Sequence, residues 1–502
     1  MVDFEFVIPH NKEELLEAES PSYKVENVLS ITEIEDSFTE LTEDLNKNGI
    51  DFILEHFDTL YSILTHFNDL EWSFIHSIYN VVIVKGLNKL TNSIQDVLGT
   101  TMDSEERSKH LNILKMTLYI YTQIKNSILD RLAVESSSVF PDKSKGKKCA
   151  KKAKFVDTIT NWDERQRTSF MALFKLLNFQ LHKLWDPPVV DEEFVNMCAN
   201  CCYKGLENPT IAYVKNKPLR NTIFQTIGVL IKKYNHGVNF NSKLVQLLSL
   251  YEHLVTPFAQ AVVTFVQELG CKSLVSNILE ELMMATEDSQ DNTSIKTFSL
   301  FLVEIAGLEP EIMLPTMKEL IKYLEKESYT MRICALSVIT TVLVSHFSRF
   351  DMDEDSKEQR DLFLDILEDH MLDGNAFVRS KVLQLWQKVI QQNSLPKTRI
   401  VPLLEMTMRR LNDKSSVVCK SAIQLLRVIL GNNPFSSKFG MAETTMKLLK
   451  EATRLDDMEK SFRPQKVVVR RELWDSVEPE LNAFLTVTFV NKKDSKVSEN
   501  DN

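Results

Sequence analysis

Apolar residues recur in one pattern from Asp373 to Ile390 (DGNAFVRSKVLQLWQKVI) and again, 40 positions on, from Asp413 to Leu430 (DKSSVVCKSAIQLLRVIL). With Val378 as zero, offsets 0, 4, 5, 7, 8, 11 and 12 are Val378, Val382, Leu383, Leu385, Trp386, Val389 and Ile390. Their counterparts are Val418, Ala422, Ile423, Leu425, Leu426, Ile429 and Leu430. Upstream, Met331, Ala335, Leu336, Val338, Ile339, Val342 and Leu343 fit the same offsets. At about 100° per residue these positions fill a sector roughly 160° wide, which predicts amphipathic helices with a broad buried face.

Looser copies begin at Leu219, Phe258 and Ile295, so the starts are separated by 39, 37, 36, 47 and 40 residues. That spacing, with room for one more helix in each gap, predicts a HEAT or armadillo solenoid of paired helices. First helices of the pairs are expected near 191–206, 243–254, 272–285, 310–325, 359–372 and 399–412. Upstream, helices are expected at 31–47, 50–66, 70–90 and 107–134, with Asp103 or Ser104 as N-cap of the last, and at 161–185, stopped by Pro187 and Pro188. No run alternates with period two, so essentially no sheet is expected. The fold class is therefore all-α: a helical N-terminal module followed by a HEAT-repeat α-solenoid.

The expected division is an acidic extended lead-in (1–30) with a short helix around Lys12–Glu19, a helical module (31–135), a lysine-rich disordered linker (136–160) and the solenoid (161–434). Further helices (435–490, at 441–455 and 471–487) and a disordered tail (491–502) follow.

Offset 1 is Arg220, Arg332 and Arg379, with Cys419 breaking the series, and offset −5 is Asp373 and Asp413. Offset 1 falls inside the apolar sector, where a guanidinium persists only if carboxylate or backbone oxygens meet it. Arg332, Asp373, Arg379 and Asp413 are thus expected to form a ladder from repeat to repeat.

Composition removes several chemistries. The 12 glycines never lie closer than nine positions, which excludes the GxGxxG, Walker and GxSxG loops; HExxH is also absent. Cys198, Cys201 and Cys202 lack a second pair or a His pattern and are expected to be packing residues. Seven cysteines and no secretory h-region point to a reducing compartment. The acidic run Asp351, Asp353, Asp355 has Ser356 and Leu362 where a calcium loop needs Gly and Glu. No metal, cofactor, catalytic residue or small-molecule substrate is expected. The longest uncharged run, Ile333 to Ser348, is too short to span a membrane.

The net charge of −11 conceals an asymmetry: residues 1–70 hold 17 acids and 3 bases, whereas residues 379–427 hold 10 bases and 2 acids. On the helical wheel Lys381, Lys388, Lys420 and Arg427 lie opposite the buried sector, with Arg409, Arg410 and Lys414 nearby. Such a stripe either follows DNA phosphates or simply solvates the surface. A smaller cluster contains Lys232 and Lys233. Seven lysines crowd positions 143–154 (Lys143, Lys145, Lys147, Lys148, Lys151, Lys152, Lys154), reading as a solvated linker, a nuclear-import signal or a phosphate-binding arm. No aromatic residue interleaves the stripe, so single-strand recognition is not expected.

Stretches distributed along the chain carry a resemblance: FEFVIP (4–9), LEHFDTLYSIL (54–64), CCYKGLENPTI (201–211), NKPLR (216–220), KYNH (233–236), NAFVRSKVLQLW (375–386), DKSSVVCKSAIQLL (413–426) and NNPFSSK (432–438). In order and number they resemble condensin complex subunit 1, the D-type, non-SMC, HEAT-repeat subunit of condensin I, as an N-terminal portion or shortened form. The resemblance implies a non-catalytic regulatory scaffold that binds the kleisin and the SMC ATPase pair, contributes to holding double-stranded DNA and chromatin in mitotic condensation, and resides in the nucleus and on mitotic chromosomes, with cytoplasm in interphase. A HEAT-repeat transport receptor or phosphatase scaffold is the competing expectation.

Overall fold

Asn112 shows how distant segments are tied together here: its side chain accepts from Phe6 N (2.9 Å) and donates to Phe4 O (2.7 Å). The extended lead-in is thereby pinned to a helix more than a hundred residues away. The computed structural model describes residues 4–100, 102–139, 149–287, 292–326, 328–347 and 352–432. Among these the backbone is helical apart from the extended lead-in, turns and loops, and a single bridge between Glu5 and Ser22, so the class is all-α with HEAT-like paired helices. Two compact units divide it: Met1–Pro257 with Thr264–Leu274, and Phe258–Val263 with Val275–Asn502.

The first unit contains α1 (Glu14–Glu17), α2 (Ile31–Lys47), α3 (Phe52–Thr65), α4 (Trp72–Ile78), α5 (Leu87–Val97), α6 (Ser104–Val139) and α7 (Cys149–Leu177). The pairs α8 (Glu192–Glu207) with α9 (Lys217–Tyr234), and α10 (Gly237–Leu250) with α11 (Val255–Leu269), follow. A capping box starts α2, with Ser30 N donating to Glu33 Oε2 (2.8 Å), and Asp103 Oδ1 accepts from Glu106 N (2.7 Å) at the start of α6. Phe6, Tyr23, Phe57 and Tyr119 pack edge-on or tilted around the lead-in. Between α4 and α5 the backbone widens into a π-helical stretch, Tyr79–Gly86, so the single helix expected at 70–90 is three segments.

Two expected boundaries move. α7 begins at Cys149 and α6 runs to Val139, so helical backbone enters both ends of the segment read as linker, where Ala and Lys are good helix formers. At its other end α7 stops at Leu177, well short of Trp185. Asn178 Nδ2 turns back to Phe174 O (2.8 Å) there, and a 3-10 turn, Leu181–Leu184, buries Leu181, Leu184 and Trp185.

The second unit holds α12 (Leu274–Glu287), α13 (Asn292–Leu308), α14 (Pro310–Met313), α15 (Met317–Lys322) and α16 (Tyr329–Ser345). Beyond them lie α17 (Glu354–Asp369), α18 (Ala376–Gln391), α19 (Ile400–Arg409) and α20 (Ser416–Gly431). The second helices α13, α16, α18 and α20 pack in sequence, each against the next. All seven offset positions of α16 and of α18 are buried, as are six of α20, with Leu430 half-buried. Ends are closed locally: Asn375 Oδ1 accepts from Phe377 N (2.8 Å), and Asn393, at φ 53°, turns the chain off α18. The helices expected at 441–455 and 471–487, and the tail, lie outside the described residues.

Candidate nucleic-acid interface

An arginine at a buried helical offset has to find oxygens, and those it finds decide which cations remain at the surface. Arg332 on α16 makes a forked pair with Asp373, Nε to Oδ2 at 2.8 Å and Nη2 to Oδ1 at 3.1 Å, and its Nη1 donates to Lys326 O (2.7 Å). Arg379 on α18 does the same one repeat later, with Asp413 at 2.9 and 2.8 Å and with Asp373 O at 2.7 Å. Each aspartate also caps the turn it sits on, accepting from Asn375 N (2.7 Å) and Ser415 N (3.0 Å). The Arg379 guanidinium holds the Asp413 carboxyl below the usual carboxylate range. In the following repeat Cys419 Sγ donates to Asp413 O (3.2 Å), as the guanidinium of Arg379 donates to Asp373 O. Arg220, in the first unit, donates to Ile211 O (3.0 Å) and Ala212 O (3.3 Å).

The ladder absorbs one cation of the expected DNA stripe. Arg410 is half-buried, 3.6 Å from Asp413 and 3.5 Å from Met371 O. Lys388, Arg409, Lys414, Lys420 and Arg427 are exposed, and Lys381 is half-buried. Lys381 has its pKa lowered, by burial and then by the Lys388 charge. The α18 and α20 faces adjoin: Ser380 and Ser421 meet at 2.9 Å between the two helices. Lys381, Lys388, Lys420 and Arg427 therefore lie on the outward sides of two packed helices.

In the smaller cluster Lys232 and Lys233 are both exposed; Lys233 also donates to Asn178 O, while Tyr234 Oη donates to Leu177 O (2.8 Å). Lys233 and Tyr234 thereby satisfy carbonyls left open at the end of α7. Of the lysine-rich segment, Lys151, Lys152 and Lys154 lie on the α7 backbone; Lys143, Lys145, Lys147 and Lys148 lie outside the described residues.

Some features go beyond the sequence pattern, while the three neighbouring cysteines are buried as expected. Arg399 forms a second tie between repeats, reaching Asp365 and Glu368 (3.4 Å) of α17. Phe377, one turn before Lys381, is 59% exposed, and its ring lies 5.7 Å from that of Tyr329. Lys125 is wholly buried, with Nζ 2.6 Å from the Phe170 ring centroid and burial lowering its pKa to about 8. Cys198, Cys201 and Cys202 are buried thiols whose pKa values burial pushes up. Among the described residues Asp44, Glu55 and His56 bring potential metal-ligand atoms within 4.8 Å of one another; His56 Nε2 pairs directly with Asp44 Oδ2 at 2.8 Å. No helix among the described residues is long and apolar enough to cross a membrane.

Stacked helix pairs, an Asp–Arg ladder and a cationic outer face define the class: a HEAT-like repeat protein with a charged surface. Residues 78–240 match the family model for the non-SMC mitotic condensation complex subunit 1, N-term. The chain is 34% identical to condensin complex subunit 1 of Xenopus laevis over 98% of its length and 36% of the relative's. Identity to that of Homo sapiens is 34% over 96% of this chain and 35% of the relative, and to that of Schizosaccharomyces pombe 24% over 76% and 32%. The chain is thus a homologue of condensin complex subunit 1 and carries that family's N-terminal domain. It spans about a third of the length of the curated relatives it matches.

Proposed function

We propose that this chain is a non-catalytic scaffold of a condensin-type complex, active in mitotic chromosome condensation, that binds the kleisin and the SMC ATPase pair and contacts duplex DNA through α18 and α20. The observation that carries the DNA contact is the placing of Lys381, Lys388, Lys420 and Arg427 on the outward sides of two packed helices, with Arg409 and Lys414 exposed nearby. Such a face neutralises phosphates without reading bases, which suits a protein that handles chromatin irrespective of sequence. Nuclear and chromosomal residence, with the lysine-rich segment as import signal, belongs to the same reading, as does the division of the chain at residues 30, 434 and 490.

Co-purification with the kleisin and the SMC pair tests the scaffold role. Duplex binding across a salt series tests the face. Charge reversal at Lys381, Lys388, Lys420 and Arg427 is expected to weaken affinity and to flatten the salt slope by about 0.9 for each phosphate that is no longer neutralised. An unchanged slope overturns the DNA contact.

A further inference from the structure

A face that only follows duplex phosphates needs cations and nothing apolar. This one carries an aromatic residue as well. Phe377 opens α18 with 59% of its surface exposed, and the half-buried Tyr329 ring of the preceding repeat lies 5.7 Å away at 30° to it. Four residues on, Lys381 stands on the same side of the helix, and Lys388 follows two turns later. Counting Val378 as zero at about 100° per residue, Phe377, Lys381 and Lys388 fall near 260°, 300° and 280°, one narrow stripe. Asn375 holds the start of the helix by accepting from the Phe377 N–H (2.8 Å), which fixes the backbone from which the ring projects. On the neighbouring helix the equivalent position is Val417, also exposed, followed by Lys420 and Arg427.

Aromatic platforms beside a track of cations are the means by which proteins hold unpaired strands: bases stack on rings and phosphates follow the charges, without sequence preference. A base inside a duplex offers its face to its stacked neighbours and not to an external ring. We propose that the α18–α20 face takes single-stranded DNA, with one base stacked on Phe377 beside Tyr329 and the adjoining phosphates on Lys381 and Lys388. This inference rests on the reading of the same face as a DNA contact. It adds that strand-separated DNA, and not duplex alone, is a ligand, and it reverses the expectation that no aromatic residue serves the stripe.

Fluorescence anisotropy of the full chain with a mixed-sequence oligonucleotide and with its duplex, at one salt concentration, tests it. Phe377→Ala is expected to weaken single-strand binding about ten-fold while leaving duplex binding within about two-fold. Phe377→Tyr, which keeps the stacking face, retains wild-type affinity for both. The double variant K381E/K388E weakens both. Because Phe377 is exposed, its truncation leaves the repeat core filled, and an unchanged melting temperature verifies this. Single-strand affinity unmoved by Phe377→Ala overturns the inference, as does an equal loss on duplex, the behaviour of an apolar wedge in a bent double helix. If K381E/K388E still lowers duplex affinity in those cases, the duplex contact stands and only the single-strand site falls. If K381E/K388E changes neither affinity, both fall.

Discussion

Trp386 is fully buried in the apolar face of α18. Truncating a large aromatic side chain at such a site costs about 3–5 kcal/mol through forfeited transfer energy and the cavity left behind. Trp386→Ala is therefore expected to destabilise the second unit by that amount, read by chemical denaturation of the full chain. His236 gives a different prediction. The residue is 4% exposed, its Nε2 is hydrogen-bonded with the Tyr203 hydroxyl (2.9 Å), and burial lowers its pKa from 6.5 to about 4, opposed by the Glu192 charge. Between those two values the unfolded chain binds a proton that the folded chain does not. Stability contributed by neutral His236 is complete above about pH 6.5 and is lost as pH falls towards 4, by about 3 kcal/mol in all. Urea titrations over that range should show the decline, and His236→Gln should flatten it.

At the scale of the element, the seven buried offsets were legible because a helix packed on one side must repeat its apolar positions every 3.6 residues. The arginines of the ladder were legible for the opposite reason, being charged where the period demands an apolar residue. Other features carried no such signal. Arg399 lies on no buried offset, and its partners Asp365 and Glu368 are separated from it by more than thirty residues. Asn112 pins Phe4 and Phe6 across the unit through ordinary polar chemistry that any surface asparagine shares. Phe377 falls outside the apolar sector on the wheel, among the lysines, and nothing in its residue type tells whether a neighbouring repeat covers it; its exposure decides. Lys233 has the sequence context of a phosphate contact, and nothing in that context shows that the open end of α7 also supplies it with a carbonyl. The ladder yields its own prediction: the Arg379 and Asp413 side chains are 13% and 4% exposed, and Arg379→Ala removes the forked partner of the carboxylate, leaving it Ser415 N and Arg410 at 3.6 Å. A destabilisation of up to about 3 kcal/mol is expected, because breaking one side of a buried pair leaves a charge that is poorly met. Asp413→Asn paired with Arg379→Met should recover much of it, measured as a double-mutant cycle.

Across the whole molecule the charge is unevenly placed, and the acidic end is not a detachable tail. Residues 1–70 supply buried Phe6, Ile34, Leu41, Phe57 and Leu60 to the core of the first unit, so the same segment carries both the surplus of acids and a share of the packing. Deleting it is expected to unfold that unit, seen as a drop in helical signal in circular dichroism, and so confounds the loss of charge with the loss of packing. Single neutralising substitutions at exposed acids such as Glu35 or Glu40 change the field and leave the core in place.

The ties between repeats also have a mechanical side. α18 and α20 are joined by Arg379 and Asp413 at one turn and by the meeting of Ser380 with Ser421 along their length, and α17 and α19, the first helices of the same two pairs, are joined by Arg399. Two adjoining pairs are therefore tied on both sides. On the proposal that phosphates follow this face, the interval between Lys381 and Lys420 is set by those ties, so loosening them with Arg379→Ala alters the register offered to the phosphates without removing a single cation of the stripe.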